Sequence, residues 1–191
     1  MIKYKLNYSV CAITLALLSA CASNPQQYAN NAPEQWQLKG KIGIWYGDKR
    51  ESASIDWSQC GAKQLYIRLS GPLGSGVIEL EADKTGATLN QQGESRSAAS
   101  IDELAAAAQW PIPVEALRFW VRAHAAPQQE LRSRINLNGQ VEEISQAGWL
   151  VNYRYNTAEQ LLPNRINAKS ADTRITIIVS NWDNQPELCQ H

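Results

Sequence analysis

The sequence predicts a mainly β fold of the α+β class, with antiparallel strands before and after one buried helical stretch. Residues 36–98 and 131–182 break into short runs that alternate apolar and polar side chains, the period of a half-buried strand. Turn signals such as Gly47-Asp48, Gln92-Gly93 and Asn138-Gly139 separate these runs. Between the two strand regions, Trp110-Pro111-Ile112-Pro113 leads into Val114, Leu117 and Val121 at helical spacing. Ala116, Phe119 and Trp120 widen that stripe until only Glu115, Arg118 and Arg122 form a narrow polar face. A helix this apolar must be wrapped, although a core helix closing an ordinary α+β domain has the same pattern.

Residues 1–20 read as a signal segment, with Lys3 and Lys5 ahead of an apolar run, Val10 to Leu18, that is short for a membrane span. Leu18-Ser19-Ala20-Cys21 resembles the lipobox of bacterial lipoproteins, which implies cleavage before Cys21 and acylation of its thiol. Ala22 in the next position implies onward sorting to the outer membrane, on its periplasmic leaflet. Residues 21–35, rich in Asn, Gln, Pro and Ala, read as the lipidated Cys and a flexible tether, with a single domain over 36–191.

Trp36, Leu38, Ile42 and Ile44 define a long first strand, with Gly40 and Gly43 as bend or bulge points. Ala53, Ile55 and Trp57 define a second, and Leu65, Ile67 and Leu69 a third. Ser70 to Gly76 is a turn by composition, and Leu73 at its tip is an odd apolar residue that either sits harmlessly in solvent or touches lipid. Val77 to Ala82 resumes a strand, Thr85 to Ala98 holds two more, and Ser100 with Glu103 forms a capping box for a helix over Ile101 to Gln109. Pro113 suits the first position of the central helix, which is read through to Ala123. Ile135, Leu137, Val141 and Ile144 flank a hairpin turn. Trp149, Val151, Tyr153 and Tyr155 alternate cleanly, Leu161 to Ile166 starts another strand, and Arg174 to Trp182 the last.

The mature chain from Cys21 keeps 18 − 2 = 16 Lys and Arg against 18 Asp and Glu, a near-neutral balance that gives no reason to expect a nucleic acid partner. Of four cysteines, Cys60 and Cys189 remain once Cys11 is removed and Cys21 acylated. In an oxidising compartment they form a disulfide or stay as two free thiols. Catalytic groups are scarce: His191 is terminal, His124 stands alone at the helix exit, and no nucleophile, phosphate-loop or metal-ligand motif occurs. This points to a binder without cofactor or metal, and seven tryptophans around an apolar helix point to an apolar ligand. A structural lipoprotein acting as a docking module in envelope assembly fits the same residues.

The lipobox at Cys21, Trp36-x-Leu38-x-Gly40-x-Ile42, Pro72-Leu73-Gly74, Trp110-Pro111-Ile112-Pro113 with Leu117 and Trp120, Gly148-Trp149-x-Val151-x-Tyr153, Leu162-Pro163 and Arg174 to Trp182 stand in an order that resembles the LolB family. The resemblance implies an unclosed, strongly curved antiparallel β-barrel with helices packed inside as a lid over a hydrophobic cavity. It also implies an acceptor that takes acylated lipoproteins from the periplasmic carrier LolA and inserts them into outer-membrane phospholipid, acting as a monomer. By the same resemblance, Pro72, Leu73 and Gly74 form the membrane-insertion loop. Alternation proposes Ile42, Ile44, Ile55, Trp57, Leu65, Ile67, Trp149, Val151 and Tyr153 as the cavity wall, with Leu117 and Trp120 facing them from the helix.

Overall fold

The computed structural model describes residues 35–74, 76–107, 110, 112–127 and 129–190. The signal segment, Cys21 and the tether up to residue 34 lie outside the described residues. Six strands come first: β1 (Gln35–Tyr46), β2 (Lys49–Cys60), β3 (Gln64–Ser70), β4 (Ile78–Ala82), β5 (Ala87–Gln91) and β6 (Glu94–Ala98). Two helices follow, α1 (Ile101–Ala107) and α2 (Val114–Trp120). Five strands complete the chain: β7 (Arg132–Ile135), β8 (Val141–Gln146), β9 (Trp149–Arg154), β10 (Arg165–Lys169) and β11 (Thr173–Asp183).

All eleven form one open, curved antiparallel sheet in the order β6-β5-β4-β3-β2-β1-β11-β10-β9-β8-β7. Each strand pairs with its predecessor except β7, because the helical segment after β6 carries the chain from one edge of the sheet to the other. Local hairpins account for the other sequential pairings, and β1 and β11, far apart in sequence, pair across the centre of the sheet. The two edge strands do not pair with each other. They carry exposed Glu94, Arg96, Arg132 and Arg134, charges that discourage edge-to-edge association.

The central seam, β1 against β11, contains the main irregularity. Lys39 opposes Asn181 and Gly40 opposes Val179, so Ser180 is an extra residue on β11. One inserted residue exchanges the two faces of a strand. Ile175 and Ile177 therefore point inward on one side of the bulge, and Trp182 takes over on the other. Trp182 opposes Leu38 and meets Trp36 edge-on, with ring centroids 5.8 Å apart. Gly40 is required here by close approach: a Cβ would fall 2.1 Å from the Ile178 carbonyl oxygen.

The capping box at α1 forms with a small change. The Glu103 amide donates to Ser100 Oγ at 3.2 Å, and the Glu103 carboxylate accepts from the Ala99 amide instead of that of Ser100. The last residues expected in this helix, 108 and 109, lie outside the described residues. Pro113 precedes α2 and is not its first turn residue, with φ −79 and ψ 76. The helix ends at Trp120; residues 121–123 form a turn in which Ala123 has φ 59. Arg122 consequently leaves the expected polar face and is 6% exposed, its pKa lowered by burial. Two further expectations shift. Leu137 lies in the β7–β8 turn, fully exposed, and residues 161–164 stay outside the strand because Pro163 has no amide for the ladder.

Candidate functional site

The alternation of β1 to β4 places one apolar side chain in every second position on the inner face of the sheet. Register then aligns them into rows: Trp57 opposes Ile67, which opposes Leu80, while Ile55 opposes Leu69, which opposes Ile78. Ile42 of β1 completes this wall. Trp110, Ile112, Val114 and Leu117, from the lead-in to α2 and its first turns, form the other wall. Between the walls lies a wholly apolar cavity of about 30 Å³, room for about one water-sized sphere. The indole N–H of Trp57 is buried with no acceptor among the described residues. An orphan donor of this kind costs about 1–3 kcal/mol.

Five of the side chains proposed from sequence line this space: Ile42, Ile55, Trp57, Ile67 and Leu117. The others do not. Ile44 and Val151 are buried in the core of the same sheet face. Leu65 borders a separate polar cleft beside Cys60. Trp120 and Trp149 pack against each other with ring centroids 5.9 Å apart. Tyr153 is buried, and desolvation, then the neighbouring Tyr155, pushes its phenol pKa well above the ordinary value. Sequence reasoning missed Leu69, Ile78 and Leu80 as lining residues although their inward phase was legible. It also missed Trp110 and Ile112, whose signal was two large apolar residues set among prolines.

The β8 side of the core is organised by a buried amide. Gln146 Oε1 accepts from Trp120 Nε1 and from the Ala126 amide, both at 2.9 Å, and Gln146 Nε2 donates to the Ala126 carbonyl at 2.9 Å. At the far end of α2, the Arg118 guanidinium donates to the Ala62 carbonyl and pairs with Glu115. These contacts fasten α2 at its C-terminal half. His124, just beyond, is desolvated and sits near the Arg122 charge, which brings its pKa down to about 4.

The loop between β3 and β4 springs from the cavity wall, since Leu69 and Ile78 form the last rung before it. Pro72–Gly74 makes a single 3₁₀ turn closed by Gly74 N–H donating to the Gly71 carbonyl at 3.1 Å. Pro72 and Gly74 are exposed; the side chain of Leu73 lies outside the described residues. A disulfide joins Cys60 to Cys189, with Cα atoms 5.2 Å apart, tying the end of β2 to the C-terminal turn Glu187–Cys189.

The family described as Outer membrane lipoprotein LolB matches residues 34–182. Among individual relatives, the outer-membrane lipoprotein LolB of Cellvibrio japonicus is 32% identical, with 94% of this chain and 97% of that protein covered. That of Pseudomonas fluorescens is 33% identical over 88% of this chain and 91% of its own length. The Francisella tularensis protein of the same name is 32% identical over 78% of this chain and 74% of its length. A solved LolA superfamily protein from Nitrosomonas europaea shares the fold, with a TM-score of 0.52 at 9% identity over 81% of this chain and 87% of that one. Strand meander, internal helices and sequence relatives agree, and the chain belongs to the LolB family of outer-membrane lipoproteins.

Proposed function

We propose that this chain receives acylated lipoproteins from the periplasmic carrier LolA, holds their acyl chains between the sheet and α2, and releases them into outer-membrane phospholipid. The observation that carries this reading is the cavity wall, which is apolar on every side and bounded by α2, whose C-terminal half is hydrogen-bonded to Gln146 and to the Ala62 carbonyl. A triacylated cargo exposes on the order of 45 methylenes, and at ~0.8 kcal/mol each their passage through water is prohibitive. Transfer from one apolar cavity to another avoids that step and needs no catalytic group. A difference of about 1.4 kcal/mol between the two sites biases transfer tenfold.

The space between the walls is too small for an acyl chain, so binding requires the Trp110–Ile112 lead-in and the start of α2 to move away from the sheet. In this reading Cys21 carries the lipid that anchors the chain to the periplasmic leaflet, residues 21–35 are its tether, and residues 36–191 are the binding domain, acting as a monomer. The loop at Pro72, Leu73 and Gly74 is the part that enters the bilayer. The test is a photo-activated cross-linker at Ile112. It should capture an acylated lipoprotein and ignore the same protein without acyl chains; equal capture of both would refute cavity binding.

A further inference from the structure

On the outer face of the sheet, β2, β1, β11 and β10 place basic and aromatic side chains in one cross-strand row: Arg50 opposes Trp45, Trp45 opposes Arg174, and Arg174 opposes Lys169. Both guanidinium groups lie over the Trp45 indole, 5.3 and 5.5 Å from a ring centroid. The indole lies across Gly43, where a Cβ would fall 2.7 Å from its Cη2 atom. Leu150, opposite Lys169 and 40% exposed, continues the row with an apolar side chain. The cations of the row are exposed, and none pairs with a carboxylate among the described residues, Asp48 and Asp172 in the nearby turns included. Lys39, Arg68, Arg96 and Arg134, by contrast, each have a carboxylate partner. Like charges opposed on a sheet repel, and an anion from outside relieves that repulsion. The position of the row is also informative. β3 ends at Ser70, opposite Ser54, whereas β2 runs on to Lys49. The Pro72–Gly74 turn therefore leaves the sheet at the end where the row lies, with Arg50 about 13 Å beyond Ser54 along β2 at ~3.3 Å per residue.

We propose that this row is a docking surface for the anionic headgroup phosphates of a phospholipid bilayer. It deepens the delivery reading above, in which the Pro72–Gly74 loop enters the membrane, and rests on it. A guanidinium presents paired N–H donors that match two phosphate oxygens. An indole, apolar in body and polar at one edge, suits the depth of the headgroups. An acidic protein face would offer the same charge, but the shared end with the loop, and Trp45 and Leu150 set among the cations, fit a boundary between phosphate and hydrocarbon. Each Lys or Arg held near an anionic membrane surface strengthens binding roughly fivefold. Loss of Arg50, Lys169 and Arg174 together therefore weakens this contact on the order of a hundredfold.

The experiment uses the full chain incorporated into vesicles of phosphatidylcholine, with or without phosphatidylglycerol. A photo-activated cross-linker stands at Ser52, exposed on the same face and opposite Gly43. Lipid capture should rise at least about tenfold when phosphatidylglycerol is present, and about 1 M salt should return it to the phosphatidylcholine level. Arg50→Gln, Lys169→Gln and Arg174→Gln combined should remove the rise. The comparison of vesicles in the chain with its row intact stands even if that variant fails to fold. Equal capture from both vesicles, or none from either, overturns the headgroup surface. So does capture of LolA in place of lipid when the carrier is added, which would assign the row to an acidic protein face. Handover of an acylated lipoprotein from LolA is followed in the same vesicles. Its absence overturns the acceptor reading, whereas handover with lipid capture indifferent to charge overturns the docking surface alone.

Discussion

The indole N–H of Trp120 donates to the side-chain oxygen of Gln146, 2.9 Å away and 26 residues along the chain, in a buried site. This bond fixes the C-terminal end of α2 to β8 while the N-terminal end of the helix borders the cavity. Gln146→Leu leaves the Trp120 indole, the Ala126 amide and the Ala126 carbonyl unpaired, a loss of at least about 3 kcal/mol at ~1–3 kcal/mol for each buried orphan. Denaturant unfolding should record that loss, and hydrogen exchange should show the Trp120 indole proton losing protection.

The disulfide closes a loop with a sequence separation of 129. A cross-link over so long a loop restricts the unfolded chain strongly, and removing a native one costs about 2–5 kcal/mol. Cys189→Ser should lower the unfolding midpoint by the equivalent amount without altering lipoprotein acceptance, because Cys60 and Leu188, next to Cys189, line a cleft that shares no residue with the cavity wall.

His124 has a folded pKa of about 4, below its ordinary 6.5, because burial and the Arg122 charge both disfavour the proton. The unfolded state therefore binds more protons between these two values, and the contribution of neutral His124 is present in full above pH 6.5. It is lost as pH falls toward 4. With partial exposure discounted, the effect amounts to about 1–2 kcal/mol. Melting of the unaltered chain and of His124→Gln across that window should show a shallower pH slope for the variant, the carboxylate contribution being common to both.

Leu73→Glu should leave acceptance of cargo intact and block its delivery into phospholipid vesicles. Burying a leucine side chain in lipid contributes about 1.5–3 kcal/mol, whereas a carboxylate at that position opposes entry. Normal incorporation by the variant would remove the loop from the delivery step.

How far these features were legible depended on the interaction that produced them. Alternation revealed the inner face, so Ile42, Ile55, Trp57 and Ile67 were found from period alone. Periodicity tells which face is covered but not whether the covering is snug, and so Ile44, Val151 and Tyr153 looked the same as cavity residues. The C-terminal end of α2 is fastened through Gln146, which reads in sequence as an ordinary polar strand residue. The Ser180 bulge was equally silent on its own strand, although Gly40 across the seam was visible as a bend or bulge point. Arg122 misled because the helix period was extended past Trp120 into a turn that rotates the chain inward.

Handover of cargo is the most direct test. LolA loaded with an acylated lipoprotein is mixed with the Cys21→Ala chain, and the complexes are separated to find which protein the lipoprotein elutes with. Transfer to this chain is the predicted result. Retention of the lipoprotein on a carrier that is competent with another acceptor would contradict the proposed function, leaving family membership and fold unaffected.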